Sequence, residues 1–138
     1  MAESFSAEVE AWVRKTDATM MDVFREASRG VAYEVTLPKD EGGHMPVVTG
    51  RLRRSLAASL DGLPAVQWRA KDFPPNEGQI EAVIGAAGLG QTVYLGFQAP
   101  YAQKAEYAEG NGFVRLTAQR WPEIVEQAVR TVKGWTGS

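Results

Sequence analysis

Three arginines within four positions form the densest cluster of chemically active groups in this sequence. Arg51, Arg53 and Arg54 stand in a chain of 138 residues with 15 basic and 17 acidic side chains and a formal net charge of −2. A guanidinium group donates paired hydrogen bonds that match phosphate or carboxylate oxygens. Because the whole chain is slightly acidic, any attraction to phosphate must be local. The cluster predicts a surface for nucleic acid or for an acidic protein, with a solvated basic helix face as the plain alternative.

The sequence nominates no catalytic residue. The chain has no cysteine and one histidine, His44, which follows two glycines in a polar segment. Disulfides, thiolate or multi-histidine metal sites and cysteine nucleophiles are therefore excluded. The carboxylates have no partner at a spacing typical of general acid–base catalysis. We expect no enzyme, no cofactor and no metal site, while a site assembled from residues distant in sequence stays open as an alternative.

The residues beside the arginines predict how the cluster is held. Thr49 is a suitable N-cap, because its side-chain oxygen can accept an amide hydrogen of a first helical turn. Gly50 follows, and since glycine disfavours helix we expect a tight turn or a close approach there. On a helix that begins at Gly50, Leu52 and Leu56 share one face, and the arginines flank that face or point away from it. We predict an Arg-rich turn and short helix over residues 46–60.

Two long segments carry apolar residues at helical spacing. The first, 5–36, ends before Pro38 and has a stripe formed by Val9, Trp12, Val13, Met20, Val23, Phe24, Ala27 and Val31. A helix this long exceeds the average of about 11 residues, so it either covers the core or reaches a neighbouring subunit. The second, 113–134, has a stripe formed by Trp121, Ile124, Val125, Ala128 and Val132. Pro122 lies inside that segment and should kink or divide it.

Between the long helices, residues 65–97 predict antiparallel strands. Ala65–Lys71, Gln79–Gly85 and Gln91–Phe97 each alternate apolar side chains with others. A short helical turn should follow Pro100. The predicted architecture is a single α+β domain over 1–138, with a small antiparallel sheet of three to four strands packed against two long helices and one or two short helices. Such a sheet has edges that can pair with another chain.

Nothing in the sequence predicts a membrane partner. No apolar run approaches the roughly 20 residues of a spanning helix. The first residues include Glu3 and lack the basic and apolar regions of a signal peptide. We expect a soluble protein that is intracellular when it is synthesised.

Three different motifs follow one another in the part of the chain between residues 6 and 134. The first is the segment 46–56, Pro-Val-Val-Thr-Gly-Arg-Leu-Arg-Arg-Ser-Leu, after a long helix. The second is Pro100-Tyr101-Ala102 followed by Ala105-Glu106-Tyr107, and the third is Gly112-Phe113-Val114-Arg115-Leu116. Together they resemble the tail-completion, or neck, proteins of long-tailed bacteriophages. That family has Pro-Val-Asp-Thr-Gly-Arg-Leu-Arg-x-Ser, then Tyr-Ala-x-x-x-Glu-Tyr/Phe-Gly, then Pro-Phe-Leu or Gly-Phe-Leu.

The resemblance implies a structural virion protein that forms a hexameric ring at the neck, where the portal side of the head meets the tail. Its partners would be other copies of itself and neighbouring neck proteins, such as head-closure and tail-terminator proteins, with DNA passing through the lumen. It would assemble in the host cytoplasm and stay in the virion, and it would catalyse no reaction.

Under this resemblance, eight residues of the first two motifs are candidates for interaction. They are Thr49, Gly50, Arg51, Arg53, Arg54, Tyr101, Glu106 and Tyr107. At least one arginine is expected to contact protein, because buried arginine anchors are frequent in interfaces. The alternative function is a small nucleic-acid-binding module that uses the helix at Arg51–Arg54.

Overall fold

The structure, a computed structural model, describes residues 2–46, 50–108 and 111–136. Its helices are α1 (Ala2–Val35), α2 (Arg51–Arg54), α3 (Glu77–Ala86), α4 (Ala102–Tyr107), α5 (Phe113–Gln119) and α6 (Trp121–Thr136). Its strands are β1 (Leu56–Ser59) and β2 (Tyr94–Phe97), which pair antiparallel with Leu56 opposite Phe97. This mixture of helix and strand agrees with the predicted α+β class. The described part has a sheet of two strands, however, and not of three to four.

The second half of α1 packs against α6, and the two helices run antiparallel. Ala27 lies in one buried cluster with Ile124 and Ala128. Gly30 permits this approach, because a Cβ atom there would lie 2.9 Å from Ile124 Cγ2. Apolar side chains at helical spacing thus join the second half of α1 to one face of α6, which confirms this part of the prediction.

The first half of α1 has no such cover within the described residues. Val9, Trp12 and Met20 are exposed, and Trp12 keeps 67% of its surface accessible. The side chain of Val13 lies outside the described residues. The predicted stripe is therefore covered in its second half only, where Ala27 is buried and Val23, Phe24 and Val31 are half-buried. The first half is a rod of helix that extends beyond the core.

The predicted helix over 113–134 is divided into α5 and α6 at Arg120, as expected from Pro122. Proline is tolerated in a first helical turn because its missing N–H has no intrahelical partner there. Ile124 and Val132 are buried as predicted, whereas Trp121 is 47% exposed. The prediction that Trp121 belongs to the buried stripe is wrong, since it lies at the start of α6, beside α5.

The predicted short helix over 46–60 is only one turn long, and the chain continues as strand. The Ser55 hydroxyl donates to the Leu52 carbonyl oxygen at 2.7 Å, which closes α2. The Ser55 carbonyl oxygen then accepts from Gln98 N at 2.9 Å, so strand pairing begins at the same residue. Leu52 and Leu56 are both buried, but they lie on different elements and not on one helical face. Pairing with β2 outweighs local helix propensity here.

The predicted strand Ala65–Lys71 is an extended segment and a turn without a strand partner. Pro64 packs over β2, since a Cβ atom at Gly96 would lie 3.2 Å from Pro64 Cδ. One backbone bond, from Gln67 N to Gln98 O at 2.8 Å, ties the segment to the end of β2. The segment crosses the sheet and does not extend it.

The predicted strand Gln79–Gly85 is wrong, because this segment lies in helix α3. Ile80 and Ile84 are both buried, and residues four apart share a helical face as well as a strand face. The third predicted strand, Gln91–Phe97, is confirmed over its second half as β2. Val93, Leu95 and Phe97, which share one face of the predicted strand, all pack against the main core.

The main core lies between the inner face of the two strands and the helices around it. Its buried members include Val35, Met45, Leu52, Leu56, Ile80, Ile84 and Phe113. Phe113 meets Phe97 edge to face, with ring centroids 5.2 Å apart, a favoured aromatic geometry. No helix of the described segments has the length and apolarity needed to cross a membrane.

Candidate interaction surfaces

Gly50 supplies the turn that positions the arginine cluster. Its φ of 80° is left-handed, a conformation that glycine adopts without steric cost. A Cβ atom at Gly50 would lie 2.7 Å from Arg54 Nη1, so the expected close approach is present. Thr49, the expected N-cap, lies outside the described residues.

Arg54 ties α2 to the segment that precedes α3. Its Nε donates to the Phe73 carbonyl oxygen at 2.8 Å, and Nη2 donates to Asp72 Oδ1 at 2.6 Å. Asp72 Oδ1 also accepts from Phe73 N at 2.9 Å. The hydrogen bond from Arg54, then that from Phe73 N, holds the pKa of Asp72 below its ordinary value, with a smaller contribution from the charge of Arg51. Arg54 is therefore engaged in intramolecular contacts.

Arg53 is the member of the cluster that faces solvent. Its side chain is exposed and has no hydrogen bond or ion pair with any residue in the described ranges. Its carbonyl oxygen accepts from Asn76 Nδ2 at 3.1 Å, which fixes the backbone beneath it. Arg51 is half-buried. The predicted basic face is thus divided, and Arg53 is the arginine best placed to meet a partner.

Glu106 and Tyr107 meet at the corner between α4 and α5. Glu106 is 6% exposed, and its carboxylate accepts from Val114 N at 2.8 Å and from Arg115 N at 3.4 Å. Arg115 also contacts Glu106 through its side chain and lies 4.7 Å from the centre of the exposed Tyr107 ring. Tyr101 precedes α4 and is exposed. The predicted contact residue Glu106 is therefore an internal cap, while both tyrosines remain accessible.

An apolar groove lies between β2, the second half of α1 and α5, and sequence reasoning did not find it. Its volume is about 830 Å³, within the usual range for ligand pockets. The apolar side chains on its walls are Phe24, Val31, Val35, Leu56, Val93, Leu95, Phe97, Val114, Ala118 and Trp121. Trp121 lines the groove, and the one available sequence signal was Pro122 beside it, which predicts a break in the helix at this place.

The groove borders the outer edge of β2. In the antiparallel register, Leu95 and Phe97 stand opposite Ala58 and Leu56. In an antiparallel pair of strands, hydrogen-bonded residue pairs alternate with non-hydrogen-bonded pairs. Because Gln98 N bonds to Ser55 O, the pairs that contain Leu95 and Phe97 are non-hydrogen-bonded, and the backbone groups of these two residues point away from β1. These groups have no hydrogen-bond partner among residues 2–46, 50–108 and 111–136. The edge is open to pairing.

The outer edge of β1 is closed by side chains from the start of α3. The Gln79 amide pairs with Ala58 in both directions, accepting from its N at 3.0 Å and donating to its O at 2.7 Å. Asn76 Nδ2 donates to the Leu56 carbonyl oxygen at 2.9 Å. A third strand on this side is therefore replaced by two side-chain amides.

The described residues bring together no group of three or more histidine, aspartate or glutamate side chains that could hold a metal ion. What they do present is an exposed apolar helix stripe, an apolar groove with an open strand edge, and, in the arginine cluster, the solvent-facing Arg53. These are features of binding surfaces for macromolecules. Comparisons with protein-family models, with curated proteins and with known structures found no match.

Proposed function

We propose that this chain is a structural connector of a tailed bacteriophage particle, a tail-completion protein that forms a ring at the head-to-tail neck. The observation that carries the proposal is that the described part of this small chain has two apolar surfaces that no other described residue covers. One is the stripe of Val9, Trp12 and Met20 on α1, and the other is the groove beside β2. The motif resemblance around Gly50–Arg54 supports the same proposal.

The two exposed apolar surfaces favour an assembly with other chains over a monomer. Contiguous exposed apolar patches on soluble proteins usually mark interaction sites. When two different patches of one chain meet between copies, the contact is heterologous, and it closes into a ring if the rotation permits. A ring around the DNA path, with head-closure and tail-terminator proteins as neighbours, is the assembly that we propose.

The arginine cluster would serve this assembly in two ways. Arg54 holds α2 against Asp72 and Phe73, which keeps the turn at Gly50 in place. Arg53 projects from that fixed turn and is available to a carboxylate of a neighbouring protein or to DNA in the lumen. Tyr101 and Tyr107 offer amphipathic side chains of the kind found at interfaces.

The proposal is tested on particles purified from the strain that encodes the chain. Quantitative mass spectrometry should find the chain in intact tailed particles at a level comparable with the portal protein. Deleting its gene should leave filled heads and free tails that do not join. Absence of the chain from intact particles contradicts the proposal.

The alternative function, a small nucleic-acid-binding module, makes a different prediction for the purified chain. DNA affinity should then fall steeply with salt, because phosphate contacts release counterions. Arg54 is already engaged by Asp72, so Arg54→Gln should also destabilise the fold. When this loss of stability is taken into account, Arg53→Gln should weaken DNA binding more than Arg54→Gln does. Strong, salt-sensitive binding together with absence from particles would favour this alternative.

A further inference from the structure

We infer that neighbouring copies join head to tail, with the exposed stripe of α1 from one copy packed into the groove of the next. The stripe is defined by Val9, Trp12 and Met20, and the groove is that between β2, α1 and α5. This inference deepens the proposed ring and rests on it only for the closure of the contact into a ring. It assigns the two surfaces to one another.

The stripe continues the face of α1 that α6 covers in the core. Val9 precedes the buried Ala27 by 18 residues, which is about five helical turns, so both point in nearly the same direction. Met20 is aligned with Ala27 to within about 20° on the same geometry. The antiparallel α6 ends at Thr136, and the apolar face beyond its end has no cover within the described residues.

A copy cannot fill its own groove with its own stripe. α1 is an unbroken helix of 34 residues, and its residues Phe24, Val31 and Val35 form one wall of the groove. With a rise of about 1.5 Å per residue, Trp12 is held about 18 Å along the axis from Phe24. The stripe and the groove can therefore meet only between copies.

The groove suits an amphipathic helix from a second copy. Its walls are mainly apolar, and its volume of about 830 Å³ accommodates several side chains of one helix face. Helix-in-groove recognition uses anchors spaced three, four or seven residues apart, and Val9 and Trp12 have such spacing.

A strand from another copy that pairs with β2 is the competing occupant of the groove. The chain has a candidate segment for such a strand, but this segment is already bound within its own copy. The extended segment around the exposed Trp68 has the apolar alternation of a strand. That segment is held on its own copy, however, by the bond from Gln67 N to Gln98 O and by Pro64 over Gly96. The stripe of α1 has no such tie among the described residues.

Sedimentation equilibrium of three variants tests the contact. Trp12→Gln with Met20→Gln removes the stripe, Ala118→Glu fills the groove with a charged side chain, and Trp68→Gln is a control that removes an equally exposed tryptophan outside both surfaces. We expect the first two variants to associate at least tenfold more weakly than the wild type, and the control to be unchanged. Circular dichroism should show the same helix content in all four chains.

Mixing the two defective variants gives the decisive result. The stripe variant keeps an intact groove and the groove variant keeps an intact stripe, so their mixture should form a 1:1 dimer and nothing larger. A wild-type chain that remains monomeric at millimolar concentration overturns the inference. So does a mixture that stays monomeric while the wild type associates.

Cross-linking supplies a second measurement, because the chain has no cysteine of its own. Copies with Trp12→Cys mixed with copies with Ala118→Cys should give mixed disulfide dimers under mild oxidation. Dimers of Trp12→Cys alone would show a symmetric stripe-to-stripe contact and contradict the inference. Mixed dimers from a chain absent from particles would refute the neck function and leave this contact standing. Symmetric dimers from a chain present in particles would do the reverse.

Discussion

The carboxylate of Glu106 accepts two amide hydrogens at the start of α5 although it belongs to α4. Val114 N donates to it at 2.8 Å, and Arg115 N at 3.4 Å. These amides have no partner within α5, because the first N–H groups of a helix have none. A negative charge at this end also interacts favourably with the helix dipole. Glu106 thus does for α5 what an N-cap residue does, from outside the helix.

Replacing Glu106 should lower stability in two steps. Glu106→Gln keeps an oxygen acceptor and loses the charge, and should reduce the free energy of unfolding by about 1 kcal/mol; Glu106→Ala should reduce it by about 2 kcal/mol. Urea denaturation measures both. Glu126→Gln, at an exposed ion pair with Arg130, is the matched control and should change stability by less than about 0.5 kcal/mol. Equal effects at both glutamates would contradict the capping role.

A glycine can be required for its backbone conformation or for the lack of space for a Cβ atom, and Gly42 and Gly50 allow these two reasons to be compared. Both have left-handed φ angles, but a Cβ atom at Gly50 meets Arg54 Nη1 at 2.7 Å and one at Gly42 meets nothing within 4 Å. Gly42→Ala should cost about 1 kcal/mol from conformation alone. Gly50→Ala should cost more, roughly 2 kcal/mol, because Arg54 must also move away from Asp72. Thermal unfolding followed by circular dichroism compares them, and a smaller effect at Gly50 would refute the close approach.

At the scale of elements, α3 acts on the sheet through two side-chain amides. Gln79→Met keeps the size and helix propensity of the side chain but removes both hydrogen bonds to Ala58. Because the site is open to water, we expect a loss of about 1 kcal/mol in urea denaturation. Light scattering at high concentration should also rise, since the edge of β1 becomes available to other chains. Gln103→Ala on α4 is the control, and similar scattering from that variant would contradict the role of Gln79.

Long periodic elements could be predicted from the sequence, and short ones could not. The segment 5–36 repeats its apolar spacing over many turns, and α1 spans Ala2–Val35. In the segment 79–85, Ile80 and Ile84 fit a strand and a helix equally well, because a separation of four satisfies both periods. Val83 lies three residues after Ile80 and shares a face with both isoleucines only in a helix, so its position could have distinguished the helix from the strand. It packs against the same core.

The short strand and the groove depend on contacts that sequence spacing does not contain. Leu56–Ser59 becomes strand because Ser55 pairs with Gln98, more than 40 residues away. Ala65–Lys71 loses its strand because Pro64 lies on Gly96 and because Asn76 and Gln79 occupy the free edge of β1. Of the predicted interaction residues, Arg53, Tyr101 and Tyr107 are exposed, while Glu106 and Arg54 are engaged internally. Propensity is overridden by tertiary contacts in each case.

At the scale of the molecule, three ion pairs bind peripheral elements to the centre. Arg29 joins α1 to α3 through Glu81 at 2.7 Å, and Glu34 joins α1 to Arg120 before α6 at 2.9 Å. The third, between Arg54 and Asp72, fixes the turn at Gly50. All three are partly exposed, so each contributes modestly and is weakened by salt.

Two of these pairs predict how stability depends on pH. The pKa of Glu81 is lowered, chiefly by its hydrogen bond from Arg29, and that of Asp72 is lowered, chiefly by its hydrogen bond from Arg54. In the unfolded chain these groups therefore bind protons at higher pH than in the native chain. The stability that they give is complete above their ordinary values of 4.5 and 3.8 and is lost as the pH falls through the lowered native values.

Thermal unfolding between pH 7 and pH 2.5 measures this dependence. The melting temperature should be level above about pH 5.5 and fall below it. The double variant Glu81→Gln with Asp72→Asn should have a lower melting temperature at pH 7 and a flatter decline in acid. A decline of unchanged slope in that variant would show that other carboxylates govern acid unfolding.

The unbroken course of α1 has a consequence for how copies would assemble. Its outer half carries the stripe offered to one neighbour, and its inner half forms a wall of the groove that receives the other. A rigid rod that belongs to both contacts transmits to one end any tilt imposed at the other. Engagement of the first neighbour should therefore preset the groove for the second, which is positive cooperativity between the two contacts. In the proposed ring, an open dimer with a single contact should then still form, but it should be less stable per contact than the closed assembly.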